Sequence, residues 1–106
     1  MNRAQRAQQL WPLLAFAARN RQILFYGEIA KVCGVPAAAV GQNLEPIQRY
    51  CVEKALPPLT SIVVNRETGL PGTGFTAAAD VPGAQVRTFL FDWFGIEAPS
   101  ETDLKD

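Results

Sequence analysis

Apolar segments of helical period, each cut short by proline or glycine, decide most of what this chain can become. The breaks fall at Gly34-Val35-Pro36, at Glu45-Pro46 and at Leu56-Pro57-Pro58. Before them, Leu10, Leu13, Leu14, Ala17 and Ala18 line one stripe of a helix over 4–20, with Trp11 and Phe16 beside it. Pro12 requires either a kink there or a new helix starting near Trp11. Tyr26 to Gly34 reads as a second helix with Ile29, Ala30 and Cys33 inward and Gly34 as its left-handed cap. Pro36 suits the first position of a third helix ending at Leu44. Glu45-Pro46 starts a fourth, running to about Ala55 with Ile47, Tyr50 and Cys51 on one face.

Leu59 to Asn65 is the one strong strand signal, rich in β-branched residues and followed by the turn-forming cluster Arg66-Glu67-Thr68-Gly69. Leu70 to Phe75 carries too much glycine and proline for a central strand, but suits an edge strand or an open wing tip. Asp80 then opens a last helix with Val86, Phe89, Leu90, Trp93 and Phe94 on its apolar side. The expected fold is therefore mainly α with a small β-hairpin, an α+β winged helix-turn-helix-like single domain over 1–95, followed by an acidic, flexible tail over 96–106.

Composition narrows the chemistry. With 106 residues and 48% hydrophobic content, one core can close unaided. The apolar stretch Leu10–Ala18 falls short of the roughly 20 residues a bilayer span needs, and the first residues read as no signal peptide. Cys33 and Cys51, each in a helical apolar pattern, read as buried free thiols, which makes the cytoplasm the expected location. Histidine is absent, which removes the usual base for Ser or Cys nucleophiles and the usual ligand for zinc or iron. No metal and no cofactor is called for. The glycines at 69, 72 and 74 lack the lysine and the following helix of a phosphate loop. Glu28, Glu45 and Glu53 are spaced as solvated helix positions rather than as an acid–base pair. No catalytic residue emerges, and a non-enzymatic role is expected.

Net charge is zero, but unevenly spread. Up to Arg66 eight basic residues face three acidic ones; after it two basic residues face seven acidic ones. The asymmetry suggests a basic working face and an acidic tail; ordinary surface charge is the alternative reading. Lys31, Arg49 and Arg66 are the candidate phosphate-contacting cations. Tyr50 fits the core stripe better than a surface contact. On the third helix, Gln42 and Asn43 are the candidate polar readers among alanines and glycine.

The run Tyr26-Gly27-Glu28-Ile29-Ala30, with Gly34 and then Ala39-Val40-Gly41 behind it, resembles the C-terminal DNA-binding domain of the alkylguanine-DNA alkyltransferases and their catalytically inert alkyltransferase-like relatives. Leu56 to Phe75 is similar in layout to that family's Pro-Cys-His-Arg strand and glycine-rich wing. The resemblance covers about half the chain. It implies a winged helix-turn-helix, with Tyr26 in the family's DNA-contacting tyrosine position and Gly41 where a missing side chain lets a backbone approach. Where the family has Pro-Cys-His-Arg, this chain reads Ser61-Ile62-Val63-Val64, so alkyl transfer is not expected. The family's intruding arginine corresponds to Ala38, which argues against lesion flipping.

The leading functional expectation is a DNA-binding or DNA-associated domain with duplex DNA as partner and modest, salt-sensitive affinity. The alternative is a protein-interaction module, such as an immunity, inhibitor or regulatory protein of a bacterial or phage system. Zero net charge, the acidic tail and the apolar tip at 70–75 favour that alternative. A residual enzyme ranks last.

Overall fold

A computed structural model describes residues 1–105. Helix α1 (Arg3–Arg19) begins at a reciprocal cap: the Asn2 side chain accepts from the Gln5 N–H, while the Gln5 amide oxygen accepts from the Asn2 N–H. It runs unbroken through Pro12. Both Pro12 and Gln8, whose carbonyl the proline cannot bond, are exposed, so water can take that acceptor and no kink or restart is required. Ala4, Ala7, Leu10, Trp11 and Leu14 are buried along the opposite side.

Helix α2 (Tyr26–Cys33) ends as expected at Gly34, whose φ of 69° is the left-handed conformation glycine adopts without a Cβ penalty. From α1, the Arg6 guanidinium donates to the Cys33 carbonyl at 2.9 Å, a cation placed at the negative end of α2. A 3-10 turn over Ala37–Ala39 leads into α3 (Val40–Glu53). The third and fourth helices read from the sequence are therefore one. Pro46 lies inside it, buried at its ring, and the carbonyl it fails to bond belongs to exposed Gln42.

The strand signal resolves differently from the expected hairpin. Leu59–Ile62 forms a buried 3-10 turn, started by the Ser61 N–H donating to the Pro58 carbonyl, and only Val63–Val64 is strand (β2). Its partner is Leu24–Phe25 (β1), paired in parallel with Leu24 opposite Val63 and Phe25 opposite Val64. After β2 the chain turns at Gly69, φ 71°, and the Asn65 N–H donates to the Leu70 carbonyl. Pro71, Gly72 and Gly74 then keep the return segment from forming a ladder.

Helix α4 (Val81–Leu90) is capped by Asp80, which accepts from the Gly83 N–H. Its inward side is Ala84 and Thr88, not the larger apolar stripe: Leu90 is 70% and Phe94 54% exposed, and Val86 is exposed too. The Thr88 hydroxyl explains the choice. It lies 2.8 Å from the Ala84 carbonyl, 3.0 Å from that of Pro58 and 3.2 Å from the Ser61 hydroxyl, so its polar atom is satisfied in the core. Trp93 is buried but sits in a 3-10 turn beyond the helix, its indole N–H donating to the Thr88 carbonyl.

The tail segment packs back on the domain. Ser100 caps a short helix α5 (Glu101–Leu104), Leu104 is buried, and its carbonyl accepts from Arg49 at 2.8 Å. Four of its eleven residues are acidic, but Leu104 belongs to the core cluster and Ile96 packs against it. At the centre of the core, Trp11 meets Tyr50 and Trp93 edge-on, with centroids 5.7 and 5.6 Å away. Tyr50 is thus a core-packed residue, as its spacing indicated.

Candidate nucleic-acid interface

The turn at Gly34–Pro36 sets the start of α3 beside α2 and leaves a groove of about 210 Å³ between them and the segment 72–75. One wall is Ala37, Ala38 and Gly41, whose small side chains keep the α3 backbone close to the surface. The chain from Gly72 to Phe75 and Tyr26 also line the groove. Thr60, with a buried hydroxyl that has no partner among the described residues, belongs to the floor.

Of the residues singled out in the sequence, Tyr26, Ala38 and Gly41 meet at this groove. The Tyr26 side chain is half-buried, and its phenol oxygen accepts the Gly72 N–H at 2.7 Å. Gln42 is exposed on α3, and Lys31 is exposed on α2. Arg66 is exposed in the turn after β2, its guanidinium carbon 4.0 Å from the centroid of the Phe25 ring, a cation–π contact that holds its direction.

Two of the expected contact residues, Asn43 and Arg49, do not line the groove. Asn43, next to exposed Gln42, is only 5% exposed, and its amide donates to the Ala39 carbonyl at 3.4 Å. One residue along a helix turns a side chain by about 100°, which here carries it from solvent to core. Arg49 faces α1 and α5 rather than the groove. It donates to Leu104 and lies 3.9 Å from Glu45 and 3.8 Å from Glu53, so its charge is spent within the fold. Glu45, at the groove rim, is in turn held by Arg3 at 3.0 Å.

Gln48 and Thr60 were not read from the sequence as groove residues. Gln48 lies in α3 one turn past Leu44, yet its amide reaches the segment 74–76: Nε2 donates to the Gly74 carbonyl at 3.1 Å, and Oε1 accepts the Thr76 N–H at 2.9 Å. No local pattern announces such a contact, since both partners are backbone atoms far along the chain.

Of the two thiols expected to be buried, Cys51 is buried and Cys33 only half-buried. Burial pushes Cys51 up to about 11, against a smaller lowering by the Leu59 backbone hydrogen bond. Partial burial also raises Cys33, against the lowering field of Arg6. A raised thiol is a poor nucleophile at neutral pH. Among the described residues no group of three or more Cys, Asp or Glu could hold a metal ion, and no helix is long and apolar enough to cross a membrane. No family model, no curated protein and no solved structure matches the chain.

Proposed function

We propose that this chain is a non-enzymatic, DNA-associated domain that sets the start of α3 against a duplex. The observation that carries the reading is the exposed face of Ala37, Ala38, Gly41 and Gln42 beside the groove. Small side chains there allow close backbone approach, while only Gln42 offers donors and acceptors to a base edge. The helix–turn–helix order of α2 and α3, and the resemblance at Tyr26–Ala30 to the alkyltransferase-type DNA-binding domain, support the same reading. Lys31 and Arg66 supply the cations; Arg49 and Asn43 take no part.

Two phosphate contacts make a weak, mostly sequence-tolerant binder. With a slope near −0.9 per contact, raising salt fourfold weakens binding about tenfold. Titration of a labelled duplex at two salt concentrations tests this. Binding at low salt that falls by that factor supports it; no binding at low salt, or binding indifferent to salt, removes it.

A second reading, a protein-interaction module, draws on a second exposed surface. Val86, Leu90 and Phe94 of α4 and the turn after it are exposed, as is Phe16 of α1. The Arg19 guanidinium lies 5.9 Å from the Phe94 ring centroid, so this apolar surface continues from α4 to α1. A Leu90→Glu, Phe94→Glu double variant that loses a specific protein partner while keeping duplex binding unchanged would favour it.

A further inference from the structure

We infer that Gln48 is a positioning residue which, with Tyr26, latches the segment 72–76 across the groove, and that the docking face keeps its shape only while that latch is closed. The inference rests on the reading that this face meets a duplex. The segment between Pro71 and Thr76 forms neither helix nor strand, so its backbone groups must find partners elsewhere or in water. Within it, the Phe75 N–H donates to the Gly72 carbonyl at 3.0 Å. Among the described residues, its remaining bonds to the fold come from two side chains on two helices. Tyr26 on α2 accepts from Gly72, and Gln48 on α3 bonds Gly74 and Thr76.

Gln48 uses both halves of its amide on backbone groups two residues apart. A neighbouring strand would offer the same carbonyl and N–H pair, so the side chain stands in for the ladder this glycine-rich segment cannot build. Glutamine suits the place for a physical reason. A carboxylate at 48 could still accept from Thr76, but it would set negative charge against the Gly74 carbonyl. The approach at the other anchor is equally close: a Cβ at Gly72 would stand 3.0 Å from the Tyr26 hydroxyl oxygen. The latch thus joins α2 and α3 to the segment beside the groove that Ala38 and Gly41 also line.

The test uses the full chain with Gln48→Ala and Gln48→Glu. Amide hydrogen exchange should show the Thr76 N–H protected in the unaltered protein and exchanging about tenfold faster in Gln48→Ala, with core amides of α1 unmoved. Gln48→Glu, which keeps the acceptor, should retain part of that protection. Duplex affinity at low salt should fall about fivefold in Gln48→Ala and recover in part in Gln48→Glu. Equal Thr76 exchange in the unaltered and Gln48→Ala proteins overturns the latch. Faster exchange with unchanged duplex affinity overturns its positioning role. If the unaltered protein binds no duplex, the docking reading and the positioning role fall together, while the exchange ratio still decides the latch.

Discussion

The phenol oxygen of Tyr26 accepts the backbone N–H of Gly72 at 2.7 Å, joining the first residue of α2 to a loop 46 positions later. Tyrosine at this position is therefore not free at its tip: its oxygen is an acceptor within the fold and retains only its proton to offer outward. Replacement by phenylalanine keeps the ring and leaves the half-buried Gly72 N–H without its partner. Tyr26→Phe should cost about 1 kcal/mol in urea unfolding, the ordinary worth of one such bond. A change within error would mean that water replaces the phenol without penalty.

Helices α1 and α3 both end with a left-handed residue that is not glycine. Arg21 has φ 56° and Ala55 φ 54°, and each is followed by the six-to-one bond of a Schellman ending, Gln22 N–H to the Ala17 carbonyl and Leu56 N–H to that of Cys51. An L-residue there carries a steric cost that glycine lacks, partly offset by glycine's greater freedom when unfolded. Ala55→Gly should raise stability by about 0.5–1 kcal/mol, read from the urea midpoint at unchanged slope. A fall in the midpoint would show that the Ala55 methyl makes contacts worth more than the strain.

Cys51 ties stability to alkaline pH. Burial raises its pKa to about 11 in the fold, whereas an unfolded thiol titrates near roughly 8.5. Between those values the unfolded chain has released a proton that the native state still holds, so the stabilisation is complete below the unfolded value and is lost as pH rises toward the folded one. Unfolding free energy should decline from pH 8.5 upward, and Cys51→Ala should flatten that decline. In the native protein a thiol reagent should modify half-buried Cys33 before buried Cys51; the reverse order would contradict the burial.

Docking of α5 depends on Leu104, which is buried while its carbonyl takes the Arg49 guanidinium. Leu104→Ala should cost about 2–3 kcal/mol, as buried leucine truncations do. Asp103 adds a pH dependence: the Ser100 N–H, and then the Ser100 hydroxyl, hold its carboxyl below the ordinary range. Its contribution is present above the unfolded carboxyl value and is lost as pH falls through the lowered one. Backbone resonances of residues 100–104 should therefore shift on acidification below about pH 4, and Asp103→Asn should remove that step.

Duplex binding should depend on Arg66 but not on Arg49. Arg66→Ala should lower the salt slope by roughly one contact's worth, about 0.9, whereas Arg49→Ala should act on stability by unpairing the Leu104 carbonyl and removing the cation beside Glu45 and Glu53. An affinity loss for Arg49→Ala without destabilisation would restore Arg49 to the interface.

Much of this architecture follows from residues close together in the chain. The cap at Gly34, the cap at Asp80, the helical stripe from Leu10 to Ala18 and the inward side of Tyr50 are local matters of φ, hydrogen bonding and period, and a sequence displays them. The prolines were harder. A Pro-containing helix is broken or continuous according to whether the orphaned carbonyl reaches water, and for Pro12 and Pro46 that depended on Gln8 and Gln42 lying on the outer side.

Pairing over distance was beyond local reading. Val63–Val64 looks the same whether its neighbour is a returning hairpin strand or Leu24–Phe25, because the apolar run reports burial and not partner. The same holds for Asn43 against Gln42, for Arg49 drawn to Leu104, and for Gln48 reaching Gly74 and Thr76. In each case the side chain's identity was plain, and its direction was set by which helix stood next to it once the core around Trp11 had closed.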